Sequence, residues 1–220
     1  MTNMSRLTVA GQEAKLARHG IDAAGRVVTS AMAAASVCSP GERAMVVGGA
    51  GVNEALGYRD VDIVPIGAVR RGAPVDVVVV GMDPGFHYDQ MTAATLALRR
   101  GARLVATNAD PTYPTTEGLL PGAGAIVASI EVASATRAIV CGKPHQPMVD
   151  LVHSLVGDSG IVVGDRADTD GAFAVALSYD FGLVLSGATR RGDLPVVPDP
   201  AIVAEDLADL VGDLLADQVS

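Results

Sequence analysis

Three carboxylates, Asp165, Asp168 and Asp170, follow directly on the apolar run Ile161-Val162-Val163-Gly164. β-Branched residues closed by a glycine read as a buried parallel strand ending in a tight turn, the place where open α/β sheets hold ligands. Hard oxygen donors at such an exit suit Mg2+. The same residues also suit an acidic loop that caps the next helix. A second apolar run, Ala138-Ile139-Val140-Cys141, leaves through Gly142-Lys143-Pro144. Lys15 and Lys143 are the only lysines, against 14 arginines, so Lys143 stands where arginine was not used. A compact ammonium suits a phosphate or acyl phosphate better than a broad guanidinium fork, although a lone loop lysine is also an ordinary solvated residue. Beside the acidic loop, Lys143 gives the composition of half of a phosphoryl-transfer site.

The elements that must position these residues alternate in type. Helical character runs from Thr8 to His19 with Gly20 as a stop, and Val27-Val28-Thr29-Ser30 leads into an Ala-rich helix. Met45 to Gly48 opens a strand, followed by a strand at Asp76 to Gly81, a helix at Tyr88 to Arg100, a strand at Leu104 to Thr107 and a helix at Ala123 to Ala135. Gly182 to Ser186 is expected as the last strand, before an acidic amphipathic helix around Ala204 to Leu215. Hydrophobic residues make up 49% of the 220 and aromatics only 3%, so the core must be built from Ala, Val, Ile and Leu, as in a parallel sheet between helices. The net charge of -9 argues against nucleic acid, whose binding relies on basic surface. Arg70-Arg71, Arg99-Arg100 and Arg190-Arg191 are isolated surface pairs. No apolar run is long enough to span a bilayer and Thr2-Asn3 does not open a leader, so the cytoplasm is the expected location. Cys38 and Cys141 read as small buried hydrophobes, His87 and His153 lack partners at metal-ligand spacing, His19 sits at a helix end, and His145 reads as a loop residue beside a proline turn.

Taken in order, Thr2-Asn3, Ala106-Thr107-Asn108-Ala109-Asp110 running to Gly118, Pro121-Gly122-Ala123-Gly124, Gly142-Lys143-Pro144, and Gly164-Asp165-Arg166 with Thr169-Asp170 resemble the capped haloacid dehalogenase-like phosphatases. The branch is the NagD-like one, which holds 4-nitrophenylphosphatase and the phosphoglycolate and glycerol-phosphate phosphatases. The resemblance covers nearly the whole chain. It implies an α/β fold: a Rossmann-like parallel-sheet core at residues 1–44 and 137–220, N-terminally incomplete, with an inserted α/β cap at 45–136. It implies that Thr2 hydrogen-bonds the transferring phosphoryl group and that Asn3 lines the same pocket. Lys143 would neutralise phosphate and nucleophile. Asp165 would ligate Mg2+, with Asp170 a further ligand or the partner that orients the metal site, while Asp168 is solvated. Asn108 and Asp110 would stand at the pocket mouth in a segment, Thr107 to Gly124, that closes over a small phosphorylated metabolite. Pro114, Pro121 and the glycines serve equally as shapers of that loop.

One family feature is missing from its usual place: a strand ending in Asp-x-Asp-Gly several dozen residues before the Thr-Asn pair, whose first Asp becomes the aspartyl phosphate and whose second is the general acid/base. Asp60-Val61-Asp62 has the spacing without the preceding buried strand or the following glycine, and Asp168-Thr169-Asp170 belongs to the acidic loop. The expectation is a start upstream of Met1, or a truncated chain that does not turn over. Two other readings stand beside it. In one, the chain is a noncatalytic homologue whose Ala/Gly-rich cap serves as a homodimer or ligand-binding surface. In the other, Val46-Val47-Gly48-Gly49-Ala50-Gly51 marks a nucleotide-binding module, although Glu54 occupies the third glycine position of that fingerprint.

Overall fold

The computed structural model describes residues 1–217, which fall into two compact units, Met1–Gly142 and the chain from Lys143 onward. In the first, helix α1 (Val9–Ala17) starts where Thr8 Oγ1 accepts a hydrogen bond from Gly11 N at 3.0 Å, and Gly20, at φ +75°, turns the chain away after it. Helix α2 (Ser30–Ser36) is capped in the same way by Thr29 and buries Ala31, Ala33, Ala34 and Ala35. There follow β1 (Arg43–Val47), α3 (Ala50–Gly57), β2 (Asp62–Ile63), α4 (Ile66–Arg70), β3 (Val77–Val80), α5 (Tyr88–Arg99) and β4 (Arg103–Ala106). Next come β5 (Thr112–Thr115), β6 (Gly118–Pro121), α6 (Ala123–Ser134) and β7 (Ile139–Val140).

Five of these strands form one parallel sheet in the order β2-β1-β3-β4-β7. The four valines of β3 lie at its centre and are fully buried, as a strand covered on both faces requires. Alternate residues Met45, Val47, Val78, Val80, Leu104 and Ala106 pack with Val69 of α4, Ala93, Ala94 and Leu98 of α5, and Ile126, Val127 and Ile130 of α6. Small alanines on α5 let that helix sit close to the valine surface, the solution expected of a chain with so few aromatics. The segment 112–121 is a β-hairpin, in register Thr112↔Pro121 to Thr115↔Gly118, where the sequence suggests only a shaped loop. Gly118, at φ +117°, makes its turn. The run at 138–141, assigned to the core by resemblance, supplies β7, which pairs with β4 as Val105↔Ile139 and Ala106↔Val140.

The second unit holds α7 (Gln146–Val156), β8 (Ile161–Gly164), a π-helical turn at Ala167–Gly171, α8 (Ala172–Leu177), β9 (Asp180–Val184), β10 (Ile202–Ala204) and α9 (Leu207–Asp217). Its three strands are parallel in the order β10-β9-β8. The strand at Asp180–Val184 is therefore not the last, and Ala204 closes a strand instead of opening the final helix. A run of three residues after Pro200 is too short to show a period, and Asp206, whose Oδ1 accepts from Ala208 N and Asp209 N at 2.8 and 3.0 Å, sets the helix start. Among the described residues no helix is long and apolar enough to cross a membrane.

Candidate active site

In the first unit the chain's opening segment runs across the carboxyl ends of the parallel strands, and three glycines make that crossing feasible. A Cβ on Gly49 would come within 2.5 Å of Arg6 O, one on Gly51 within 2.1 Å of Leu7 O, and one on Gly81 within 2.7 Å of Ser5 Oγ. The space that a dinucleotide's pyrophosphate takes in the Gly-rich fingerprint is thus occupied by residues 5–7 of this chain, with Gly51 N donating to Arg6 O at 3.0 Å and Val9 N to Glu54 Oε2 at 2.8 Å. Ser5 Oγ then accepts from Thr107 Oγ1 and Met82 N at 3.0 and 3.2 Å, tying the segment to the exits of β4 and β3.

This crossing brings Thr2, Asn3, Asn108 and Asp110 into one pocket of about 180 Å³. Met4, Met82 and Ala123 give it apolar wall, and Thr112, Tyr113 and Gly122 complete it. Asn108, almost fully buried, donates from Nδ2 to Asn3 O at 2.8 Å and accepts from Asp110 N at Oδ1, 3.1 Å. Asn3 Nδ2 in turn points at the Asp110 carboxylate, 3.2 Å from Oδ2 and 3.5 Å from Oδ1. Ser30 Oγ donates to Asn3 O at 2.7 Å, and Thr2 is held by a backbone bridge to Thr29 while its Oγ1 accepts from Met4 N at 3.1 Å. Gly142 is required here as well, since a Cβ would meet Asn3 Oδ1 and Thr107 O at 2.6 Å each. The four side chains named by motif converge; Thr112 and Tyr113, from the segment 107–124 expected to close over the substrate, line the same pocket, while Met82 in its wall and the buried Ser5 that ties the opening segment to β3 and β4 carried no sequence signal.

In the second unit the exit of β8 is built around a charge pair. Lys143 Nζ lies 2.6 Å from Asp170 Oδ1, with side-chain exposures of 15% and 9%. Asp170 Oδ2 accepts from Arg166 N at 3.3 Å, and only a glycine at 164 admits this carboxylate, because a Cβ there would lie 2.3 Å from it. Asp165 is half-buried and its Oδ2 accepts from Ala188 N at 2.7 Å, where Gly187 leaves room for it. Asp168 is exposed and held by the Arg166 fork, Nε at 3.0 Å and Nη2 at 2.6 Å, and that hydrogen-bonded guanidinium keeps its carboxyl below the usual range. Among the described residues no three His, Cys, Asp or Glu side chains cluster to hold a metal on their own. Mg2+ is commonly held by one or two carboxylates, with water and substrate phosphate completing its shell, and Asp165 and Asp170 are donors of that kind.

The remaining Asp-x-Asp pair, Asp60 and Asp62, sits elsewhere. Asp60 is in a turn at φ +53°, and Asp62 opens β2 opposite Arg43, the first residue of β1, so both belong to the amino-terminal end of the sheet. The polar pocket lies at the other end.

A parallel-sheet α/β fold with polar pockets at strand exits defines the class, and comparison with known proteins narrows it. A family model described as HAD-hydrolase-like matches residues 140–210. The acid sugar phosphatase of Staphylococcus saprophyticus is 32% identical over 227 residues, covering 97% of this chain and 83% of that protein. The D-glycerol 3-phosphate phosphatase of Mycobacterium tuberculosis is 36% identical over 220 residues, covering 96% and 61%. Among solved structures, a hypothetical protein from Pyrococcus horikoshii superposes with a TM-score of 0.90 at 34% identity, covering 96% of this chain and 84% of that one. The M. tuberculosis glycerol phosphate phosphatase in complex with magnesium gives 0.83 at 34%, covering 94% and 65%. The chain belongs to the haloacid dehalogenase-like hydrolases, in their NagD-like phosphatase branch.

Proposed function

We propose that this chain serves Mg2+-dependent hydrolysis of phosphomonoesters of small phosphorylated metabolites, sugar or glycerol phosphates in class. The observation that carries this reading is the gathering of Thr2, Asn3, Asn108 and Asp110, from segments more than a hundred residues apart, in one pocket. In this reading Asn108 and Asp110 receive the hydroxylated body of the substrate, Asn3 orients the Asp110 carboxylate, and Thr2 Oγ1 donates to a phosphoryl oxygen. Lys143, in the second unit, has the role of neutralising phosphate charge, and Asp170 holds its ammonium in one place. Asp165, with Asp170 from the same loop, would hold Mg2+, which when bound supplies Lewis-acid polarisation of a phosphoryl oxygen. In this reading residues 45–136 are the cap segment and residues 1–44 and 137–220 the core segments, whereas the compact units divide after Gly142.

The reaction proceeds by an aspartyl phosphate in the family that this chain resembles. Neither Asp-x-Asp pair in residues 1–220 suits the nucleophile's role: Asp60 and Asp62 lie at the wrong end of the sheet, and Asp168 and Asp170 are held by Arg166 and Lys143. What these residues supply is binding, charge and metal. The test is therefore calorimetric binding of glycerol 3-phosphate with and without Mg2+, in the wild type and in Asp165→Asn. Binding that needs Mg2+ and weakens at least tenfold in the variant is expected. A chain with an Asp-x-Asp-Gly strand joined ahead of Thr2 should add Mg2+-dependent turnover. Binding indifferent to both Mg2+ and Asp165 would sink the metal assignment. Tight Mg2+-dependent binding, with no turnover even in the extended chain, would favour the noncatalytic reading.

A further inference from the structure

Resting on the assignment of Thr2 Oγ1 as a phosphoryl donor, and going beyond it, we infer that Ser30 is a positioning residue that acts on Thr2 through the peptide group between Asn3 and Met4. Ser30 is the first residue of α2, is fully buried, and does not line the pocket. Its backbone N donates to Thr2 O at 3.0 Å and its Oγ to Asn3 O at 2.7 Å, so one residue grips both carbonyls of the Thr2-Asn3 pair. Thr2 N donates in turn to Val28 O at 2.9 Å, a third tie between the two segments.

Asn3 O takes a second donor, Asn108 Nδ2 at 2.8 Å. The direction of that amide is set by its other contacts. Its Nδ2 also lies 3.4 Å from Thr107 Oγ1 and its Oδ1 accepts from Asp110 N at 3.1 Å, so a half-turn would press an oxygen against Asn3 O and a nitrogen against Asp110 N. The peptide group whose oxygen receives both donors carries Met4 N–H at its other side, and Met4 N donates to Thr2 Oγ1 at 3.1 Å. Donors on a peptide oxygen polarise the group and strengthen its N–H, and hydrogen bonds in such a chain reinforce one another where water is excluded. Ser30 and Asn108 together therefore tighten the bond from Met4 N to Thr2 Oγ1. A hydroxyl that accepts a stronger bond is a better donor, and its own hydrogen is turned away from the N–H that it accepts. Ser30 thus sets the direction and strength of a hydrogen bond donated by Thr2, without touching the group that receives it.

The test uses the isotopically labelled full chain and two readouts. In NMR spectra without ligand, Ser30→Ala should move the Met4 amide proton upfield, the direction of a weakened hydrogen bond. In calorimetry at saturating Mg2+, the same variant should bind glycerol 3-phosphate about three- to tenfold more weakly, the effect of one hydrogen bond. Ser30→Cys keeps a weak donor in the same place and should fall between Ser30→Ala and the wild type in both readouts. Urea midpoints should change little, because Asn108 still donates to Asn3 O and Ser30 N to Thr2 O. An unmoved Met4 amide would overturn the inference whatever the affinity does, since a loss of binding would then reflect a merely structural role. Thr2→Val, which keeps the shape and removes the hydroxyl, separates the inference from the reading beneath it. If Thr2→Val binds like the wild type, the phosphoryl-donor assignment falls and the inference with it. Weakened binding in Thr2→Val beside full-strength binding in Ser30→Ala would overturn the inference alone.

Discussion

At the exit of β4 polar groups satisfy one another, whereas at the exit of β8 a buried carboxylate is satisfied by a cation. Asn108 links Asn3 O to Asp110 N, and Asn3 reaches the carboxylate, so the first exit is a lattice of amides around one partly exposed acid. At the second exit, Asp170 and Lys143 are both largely withdrawn from water and depend on each other. A lattice of neutral donors and acceptors fixes shape and discriminates hydroxyls. A close ion pair fixes charge, and it is intolerant of losing either member because the survivor is left in a poorly solvated place. One family of folds thus uses the same strand-exit geometry for two tasks, distinguished by whether the side chains there are amides or ions.

The sharpest way to break that contrast is Lys143→Met. Removing the ammonium 2.6 Å from a buried carboxylate should lower the unfolding free energy by about 3–5 kcal/mol in urea denaturation. Adding Asp170→Leu should restore most of the loss, since no uncompensated charge then remains. A single variant as stable as the wild type would mean that water reaches Asp170 freely. The equivalent lesion at the other exit, Asn108→Ala, leaves Asn3 O with Ser30 as its donor and strips Asp110 N of its acceptor. Its cost should be smaller, about 1–3 kcal/mol, the range for a buried polar group left unmet. If it exceeded the cost of Lys143→Met, the two exits would have to be ranked the other way round.

How much of this was readable beforehand differs between the exits. The parallel αβ rhythm, the valine strand at 77–80 and the Ala-rich helices were legible because each is long enough to show its period and its caps, such as Thr8 and Thr29. β2 and β10 were not: two or three residues carry no period, and only pairing with β1 and β9 makes them strands. The hairpin at 112–121 was hidden by Pro114 and Pro121, residues that demote a strand assignment yet are tolerated in an isolated two-stranded ribbon. Thr2, Asn3, Asn108 and Asp110 were found by motif, but the hydrogen bonds that join Asn3 to Asn108 and Asp110 span more than a hundred residues of sequence, and no local pattern encodes them. Ser5 escaped for the same reason, since its partners Met82 and Thr107 lie 77 and 102 positions away. Lys143 and Asp170 were each assigned a ligand of their own, and the pairing between them appears only when Gly164 is seen to make room for the carboxylate.

The amino-terminal end of the five-stranded sheet supplies the control, an ion pair that is exposed. Arg43 grips Asp76 through Nε and Nη2 at 2.9 and 2.8 Å while its backbone N donates to the same carboxylate at 2.9 Å. Those hydrogen bonds hold the Asp76 carboxyl down to about 2. A carboxyl whose folded value lies below its ordinary one stabilises the fold when pH is above that ordinary value. The contribution fades as pH falls through the interval between about 3.8 and about 2. Asp76→Asn keeps an acceptor for Arg43 N and loses only the charge, and both partners are more than a third exposed. The variant should therefore be slightly less stable than the wild type at pH 7, by less than either exit variant, and the gap should close by pH 2 when urea midpoints are compared across that range. A gap as wide as that of Lys143→Met would show that exposure does not separate the two pairs. A gap that stays constant with pH would show that the Asp76 side chain acts through its shape and not through its charge.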